Sequence, residues 1–155
     1  MQLEHELPYT GLLAVDLGMR TGVACFDGHG ELCWYQSRSL HKRSVLKTMV
    51  HRWLGTPGLS HVAVEGGGDL ATVWEREARR RQQAYLQFSA EDWRADLILP
   101  RDRRSGTDAK HQAERLALRV IGESKAPAPT GKIGDDVAEA ILAGIWWLRH
   151  RNKSL

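Results

Sequence analysis

Short apolar runs alternate along this chain with longer stretches in which apolar side chains return every three or four residues. The change of period marks out its elements. Leu12-Leu13-Ala14-Val15 and Val23 to Phe26 have the length and continuity of buried strands. Asp27-Gly28-His29-Gly30 carries the residues of a hairpin loop, so strands over about 12–16, 22–26 and 31–36 are predicted to form a meander. Leu46, Met49, Val50, Trp53 and Leu54 then fall at i, i+3, i+4, i+7 and i+8, the spacing of an amphipathic helix that stops before Gly55 and Pro57. His61 to Glu65 is a fourth strand.

In the second half, Leu70, Val73, Trp74, Ala78, Tyr85 and Phe88 keep helical spacing while the positions between them are rich in Arg and Gln. One helix from Leu70 to Phe88 with a basic face is predicted. Ala95 to Leu99, stopped by Pro100, reads as a fifth short strand. Ala113, Leu116, Ala117, Val120 and Ile121 repeat the helical stripe, with Thr107 or Asp108 as N-cap. Pro127, Pro129 and Gly131 make residues 123–132 a loop. The last helix, about Asp136 to Arg149, has apolar residues almost all round it (Val137, Ala138, Ile141, Leu142, Ile145, Trp146, Leu148), which predicts burial on more than one side.

Acids at three places stand out against this pattern. Asp16 ends the first apolar run, Glu65 ends the fourth strand just before Gly66-Gly67-Gly68, and Asp135 and Asp136 open the helix that carries Glu139. Burying a carboxylate costs several kcal/mol unless a cation or a set of donors meets it. With no Cys/His cluster to match them, these acids are the oxygen-rich ligand supply that Mg²⁺ prefers. That points to metal-dependent hydrolysis of a nucleic acid.

Charge sharpens the same picture. The net charge of this 155-residue chain is only +3, but its cations are grouped: Arg76, Arg79, Arg80 and Arg81; Arg101, Arg103 and Arg104; and Arg149, Arg151 and Lys153. Grouped cations suit a polyanion. No signal-peptide pattern and no apolar run near the ~20 residues of a membrane span is present, so a soluble, intracellular (cytoplasmic) protein with no membrane partner is expected. Cys25 and Cys33, either side of the hairpin loop, are expected to stay reduced.

The order of elements, together with the segments Leu13 to Gly22, Val62 to Glu65 and Asp136 to Ile141, resembles the RuvC family of Holliday junction resolvases, within the RNase H-like fold, over nearly the whole chain. The resemblance implies an α/β architecture: a central mixed five-stranded sheet, its first three strands an antiparallel meander, flanked by helices in one domain over residues 1–155. It implies a Mg²⁺-dependent endonuclease, with Mn²⁺ as a substitute, that nicks four-way DNA junctions symmetrically and uses no nucleotide cofactor. Two ions ~3.5 to 4 Å apart would activate water and stabilise the leaving 3′ oxygen. Asp16 would bridge them, with Glu65 on one side and Asp136 and Glu139 on the other.

That helical pair follows the family's spacing of an acid, two residues and an acid, although Glu139 stands where the family usually has Asp. Asp135 and Glu139, at i and i+4, share a face and form the alternative pair. Lys110 is implied beside the scissile phosphate, with Arg76, Arg80, Arg101, Arg103 and Arg104 as further nucleic-acid contacts. A homodimer is implied because two symmetric cuts are needed. Where the family tends to place an aromatic wedge after the fourth strand, this chain has glycines. Trp74, farther along, is the candidate replacement, although its helical spacing with Leu70 and Val73 is more often that of a core residue.

Two other readings stay open on the sequence. One is a relative of the YqgF group, which shares the opening Asp-x-Gly and is associated with ribosomal RNA maturation. The other is an RNase H-like module that binds branched nucleic acid without cutting it. An actin-like phosphotransferase would need a second Asp-x-Gly phosphate loop and a longer chain.

Overall fold

In the computed structural model, which describes residues 7–98 and 106–151, the elements are β1 (Leu12–Asp16), β2 (Arg20–Phe26), β3 (Leu32–Ser39), α1 (Arg43–Leu54), β4 (His61–Glu65), α2 (Gly68–Arg80), β5 (Ala84–Phe88), α3 (Ala90–Leu97), α4 (Gly106–Gly122) and α5 (Asp135–His150). The five strands form one mixed sheet in the order β3-β2-β1-β4-β5. β1, β2 and β3 pair antiparallel as a meander, while β4 and β5 lie parallel to β1 and to each other. This is the predicted RNase H-like sheet with helices on both faces.

Side chains alternate across a strand, and the alternation divides the core in two. Leu13, Val15, Val23, Val62 and Val64 point to one face, where they meet Leu46, Val50 and Trp53 of α1 and Val73 and Trp74 of α2. Leu12, Ala14, Ala24, Phe26 and Ala63 point to the other, against Ile141 of α5 and Ala117 and Ile121 of α4. Asp16 continues the Leu12–Ala14 series and Glu65 the His61–Ala63 series, so both acids belong to the α5 face.

α5 lies unusually close to the sheet there. A Cβ on Gly22 would sit 2.2 Å from the carbonyl oxygen of Asp136, and one on Gly144 would sit 2.3 Å from the Phe26 ring. Two glycines, one on each partner, set the depth at which the last helix docks. Its buried residues run from Asp136 through Gly144 with only Glu139 partly exposed, as the all-round apolar pattern predicts.

The segment 70–99 differs from expectation. The helix predicted to run to Phe88 ends at Arg80, because Gln82 takes a left-handed conformation (φ 61°) and turns the chain back. Residues 84–88 then form the edge strand, paired from His61↔Ala84 to Glu65↔Phe88. The strand predicted over Ala95 to Leu99 is in its described part the helix α3, opened by Ser89, whose N–H donates to the Asp92 carboxylate at 2.8 Å. A five-residue edge strand has too little length for its period to stand out, and Tyr85 and Phe88 happen to fall three apart.

Trp74 is wholly buried and stacks on Trp53 with ring centroids 5.8 Å apart, so it is core. Trp146 and Trp147 are half-buried; the indole N–H of Trp146 donates to Asp96 at 2.8 Å, and Trp147 packs on Tyr9 and His61. Cys25 and Cys33 are both free thiols. No helix among the described residues is long and apolar enough to cross a membrane.

Candidate metal centre

Parallel pairing places Asp16 of β1 directly beside Glu65 of β4, at the carboxyl ends of both strands. Glu139, one turn into α5, comes down on the same spot. Oxygens of Asp16, Glu65 and Glu139 all lie within 4.8 Å of one another. The three form part of an open cleft of about 720 Å³ that also includes Leu17, Gly66, Phe88 and Ser89. Gly66 leaves the strand with φ 116°, a conformation that favours glycine, and lets the chain turn away without covering the cleft.

This grouping is electrostatically unfavourable by itself. Burial first, and then the nearness of Glu65 and Glu139, push the Asp16 carboxyl up to about 10. Three crowded carboxylates offer hard oxygen donors and a demand for positive charge, so the residues present fit a divalent cation of the Mg²⁺ type.

Two donors on α3 already meet part of that demand. Trp93, wholly buried among Ile98, Ala113, Leu142 and Ala143, donates its indole N–H to Glu65 Oε1 at 2.7 Å. Its neighbour Arg94 bonds Glu139 Oε1 through Nη2. Sequence reasoning misses both, because they fall in the unassigned stretch between the helix read to Phe88 and the strand read from Ala95. The signal was present in Ser89-Ala90-Glu91-Asp92, a capping-box pattern ahead of Trp93.

The other predicted site residues fall in three places. Asp136, 9 % exposed, turns away from the cluster: its Oδ2 accepts from Ser37 Oγ and lies 3.9 Å from Arg20 Nε. Asp135 pairs with Lys110 Nζ at 3.2 Å, and both line a cavity of about 120 Å³ with Arg94 and Glu139. The structure thus gathers Asp16, Glu65 and Glu139 with Lys110 close by, and puts Asp135 rather than Asp136 on Glu139's side of the helix. Arg76 and Arg80 line a groove between α1 and α2 with Arg43, Lys47, His51 and Glu77, on the opposite face of the sheet. Arg101, Arg103 and Arg104 lie outside the described residues.

No protein-family model matches this chain, and no curated protein sequence does. Solved structures do. RuvC of Thermus thermophilus superposes with a TM-score of 0.62 at 14 % identity, covering 90 % of this chain and 96 % of that one. The Fowlpox virus resolvase, solved with its substrate Holliday junction DNA, gives 0.57 at 15 % identity over 94 % and 99 %. The yeast mitochondrial Holliday junction resolvase gives 0.51 at 10 % identity over 94 % and 85 %. The chain has the RNase H-like fold of the RuvC-type Holliday junction resolvases.

Proposed function

We propose that this chain is a metal-dependent, structure-specific endodeoxyribonuclease that resolves four-way DNA junctions by paired symmetric nicks, working as a homodimer with residues 1–155 as one nuclease domain. The convergence of Asp16, Glu65 and Glu139 on one spot of a resolvase fold carries the proposal. A module that only bound DNA would gain nothing from three carboxylates facing the phosphates.

Asp16, Glu65 and Glu139 would hold Mg²⁺, or Mn²⁺ in its place, as two ions per site. Bound there, the ions would supply an activated water and charge stabilisation at the leaving oxygen. Asp16, in contact with both other acids, would hold metal together with them, and Trp93 keeps Glu65 in its rotamer. Lys110 adds positive charge at the edge of the cluster for the scissile phosphate. Asp136 serves by position: its carboxylate ties the first turn of α5 to Ser37 of β3, which fixes the height of Glu139.

The groove between α1 and α2 extends the DNA track. Both helices begin at the end of the sheet that carries the acids, and Arg43, Lys47, Arg76 and Arg80 line the groove they form on the opposite face. Cleavage of labelled four-way junction, flap, duplex and structured RNA in Mg²⁺ or EDTA, with Asp16→Asn beside wild type, tests the proposal. Symmetric junction cuts that vanish in EDTA and in the variant support it. Junction binding without cutting in either metal would make the chain a binding module, and cutting confined to RNA would make it a YqgF-like nuclease.

A further inference from the structure

Adjacent residues of α3 hold two of the three clustered acids in different ways. Trp93 is fixed, since its ring is wholly buried and its single donor is spent on Glu65. Arg94 is half-open to solvent: its side chain is 38 % exposed, it lies with Cζ 5.4 Å from the Trp93 ring centroid, and its described bond to an acid is the one to Glu139. A guanidinium is always charged and has five donors in a planar fork, a shape that fits a carboxylate and a phosphate equally well. Glu139 therefore has a resident cation before any metal binds.

We infer that Arg94 couples occupation of the acid cluster to DNA binding: it guards Glu139 in the free protein and passes to a backbone phosphate when Glu139 ligates a metal ion. The inference rests on the nuclease proposal above and names one more residue for it. A carboxylate that gives its charge to a divalent cation holds a neighbouring guanidinium weakly, because the two cations repel at short range. Arg94 then needs another anion.

The space for that exchange is present. Arg94, Lys110, Asp135 and Glu139 line the same cavity of about 120 Å³, and its remaining lining residues, Ala109, Ala113 and Ala138, are small. In the free protein each cation has an acid of α5 as partner, Lys110 with Asp135 and Arg94 with Glu139. A phosphate arriving at that stage meets two neutralised pairs. Once Glu139 is engaged elsewhere, Arg94 is the uncompensated charge beside the cluster, and metal and DNA favour each other's binding. By thermodynamic linkage the effect is reciprocal.

The test uses Ca²⁺, an oxygen-seeking cation with looser coordination than Mg²⁺, as the metal probe. Metal affinity without DNA is read from the thermal shift of the protein on Ca²⁺ titration, and junction affinity from four-way junction binding in Ca²⁺ and in EDTA. Wild type should gain roughly tenfold or more in junction affinity from Ca²⁺, within the usual range of coupling between two sites. Arg94→Ala should keep at most about a threefold gain while binding Ca²⁺ without DNA at least as tightly as wild type, and Arg94→Lys should fall between them.

An undiminished gain in Arg94→Ala would overturn the inference. So would weaker Ca²⁺ binding in that variant, as expected if Arg94 merely props Glu139 in place. Both outcomes leave the nuclease proposal standing. A wild-type protein with no thermal shift and no junction binding would instead remove that proposal, and this one with it.

Discussion

Asp16 is where the sequence departs furthest from what a core tolerates, and its chemistry follows from that departure. Its strand parity turns it toward α5, and Glu65 and Glu139 crowd it there. Asp16→Asn should abolish metal-dependent cleavage and, in EDTA at neutral pH, raise the melting temperature by several degrees, because a neutral amide escapes the cost of protonating on folding a carboxyl that burial and its acid neighbours push up to about 10. Calorimetry in EDTA with a parallel cleavage assay would decide; a variant less stable than wild type in EDTA would contradict the crowding. Trp93→Phe keeps most of the buried ring and removes one donor, so it should fold normally and bind metal about 10–100-fold more weakly, the usual cost of losing a partner behind a ligand. Metal titration by thermal shift would show it, and unchanged affinity would mean that Glu65 needs no such support. The acids on strands were legible because a period of two fixes which way a residue points once its neighbours are known. The helical acids were harder: at about 100° per residue, Asp135 and Asp136 lie about 40° and 60° to opposite sides of Glu139. Only the docking of α5 decides which of them shares its environment, and the sequence holds no direct record of that rotation.

Among the elements, α5 was fully legible and α3 was not, for opposite reasons. α5 is long, apolar on most sides and opened by acids that suit a helix start. β5 and α3 are five and eight residues long, so neither completes enough periods to declare itself. The contact between β2 and α5 supplies a test at this scale. A methyl group at Gly22 would collide with backbone at 2.2 Å, where no rotamer change can relieve it. Gly22→Ala should cost about 1–3 kcal/mol and, by tilting the first turn of α5, weaken metal binding as well. Denaturant unfolding and metal titration of the same variant would check the two together. On the other face, Glu77 of α2 accepts from Arg80 and Arg81 and meets His51 of α1, joining the two helices. Arg80 first, with help from Arg81 and His51, lowers its carboxyl from 4.5 to about 2. A lowered acid stabilises the fold above its unfolded pKa and loses that contribution as pH falls through the folded one. Glu77→Gln should thus melt a few degrees below wild type at pH 7, and the gap should close between pH 4.5 and about 2. A gap that persists at pH 2 would mean that the side chain acts through packing rather than charge.

For the molecule as a whole, the sheet divides the labour. Its α5 face gathers three acids at one end, where the proposed metal would bind, and its α1–α2 face carries Arg43, Lys47, Arg76 and Arg80 along a groove of about 360 Å³. The strand order could be anticipated from the meander and the parallel return, since consecutive elements tend to lie side by side and parallel crossovers turn one way. What could not be anticipated is that cations far apart in sequence, on α1 and α2, would face one another. Their meeting depends on Leu46, Val50, Val73 and Trp74 packing over the same strands. A polyanion lying in that groove would release counterions in proportion to the phosphates it neutralises, with log K falling about 0.9 per contact per log unit of salt. Arg43→Ala, Lys47→Ala and Arg76→Ala combined should therefore make the salt dependence of junction binding shallower by about two to three. Affinity at low salt should fall as well. Because these residues lie away from the acids, cleavage of fully bound junction in Mg²⁺ should stay within about twofold of wild type if they only position DNA. An unchanged salt slope would make the groove a solvated surface. A cleavage defect that persists at saturating protein would mean that DNA lying there also strains or orients the strand at the acids, so that the two faces of the sheet act as one site.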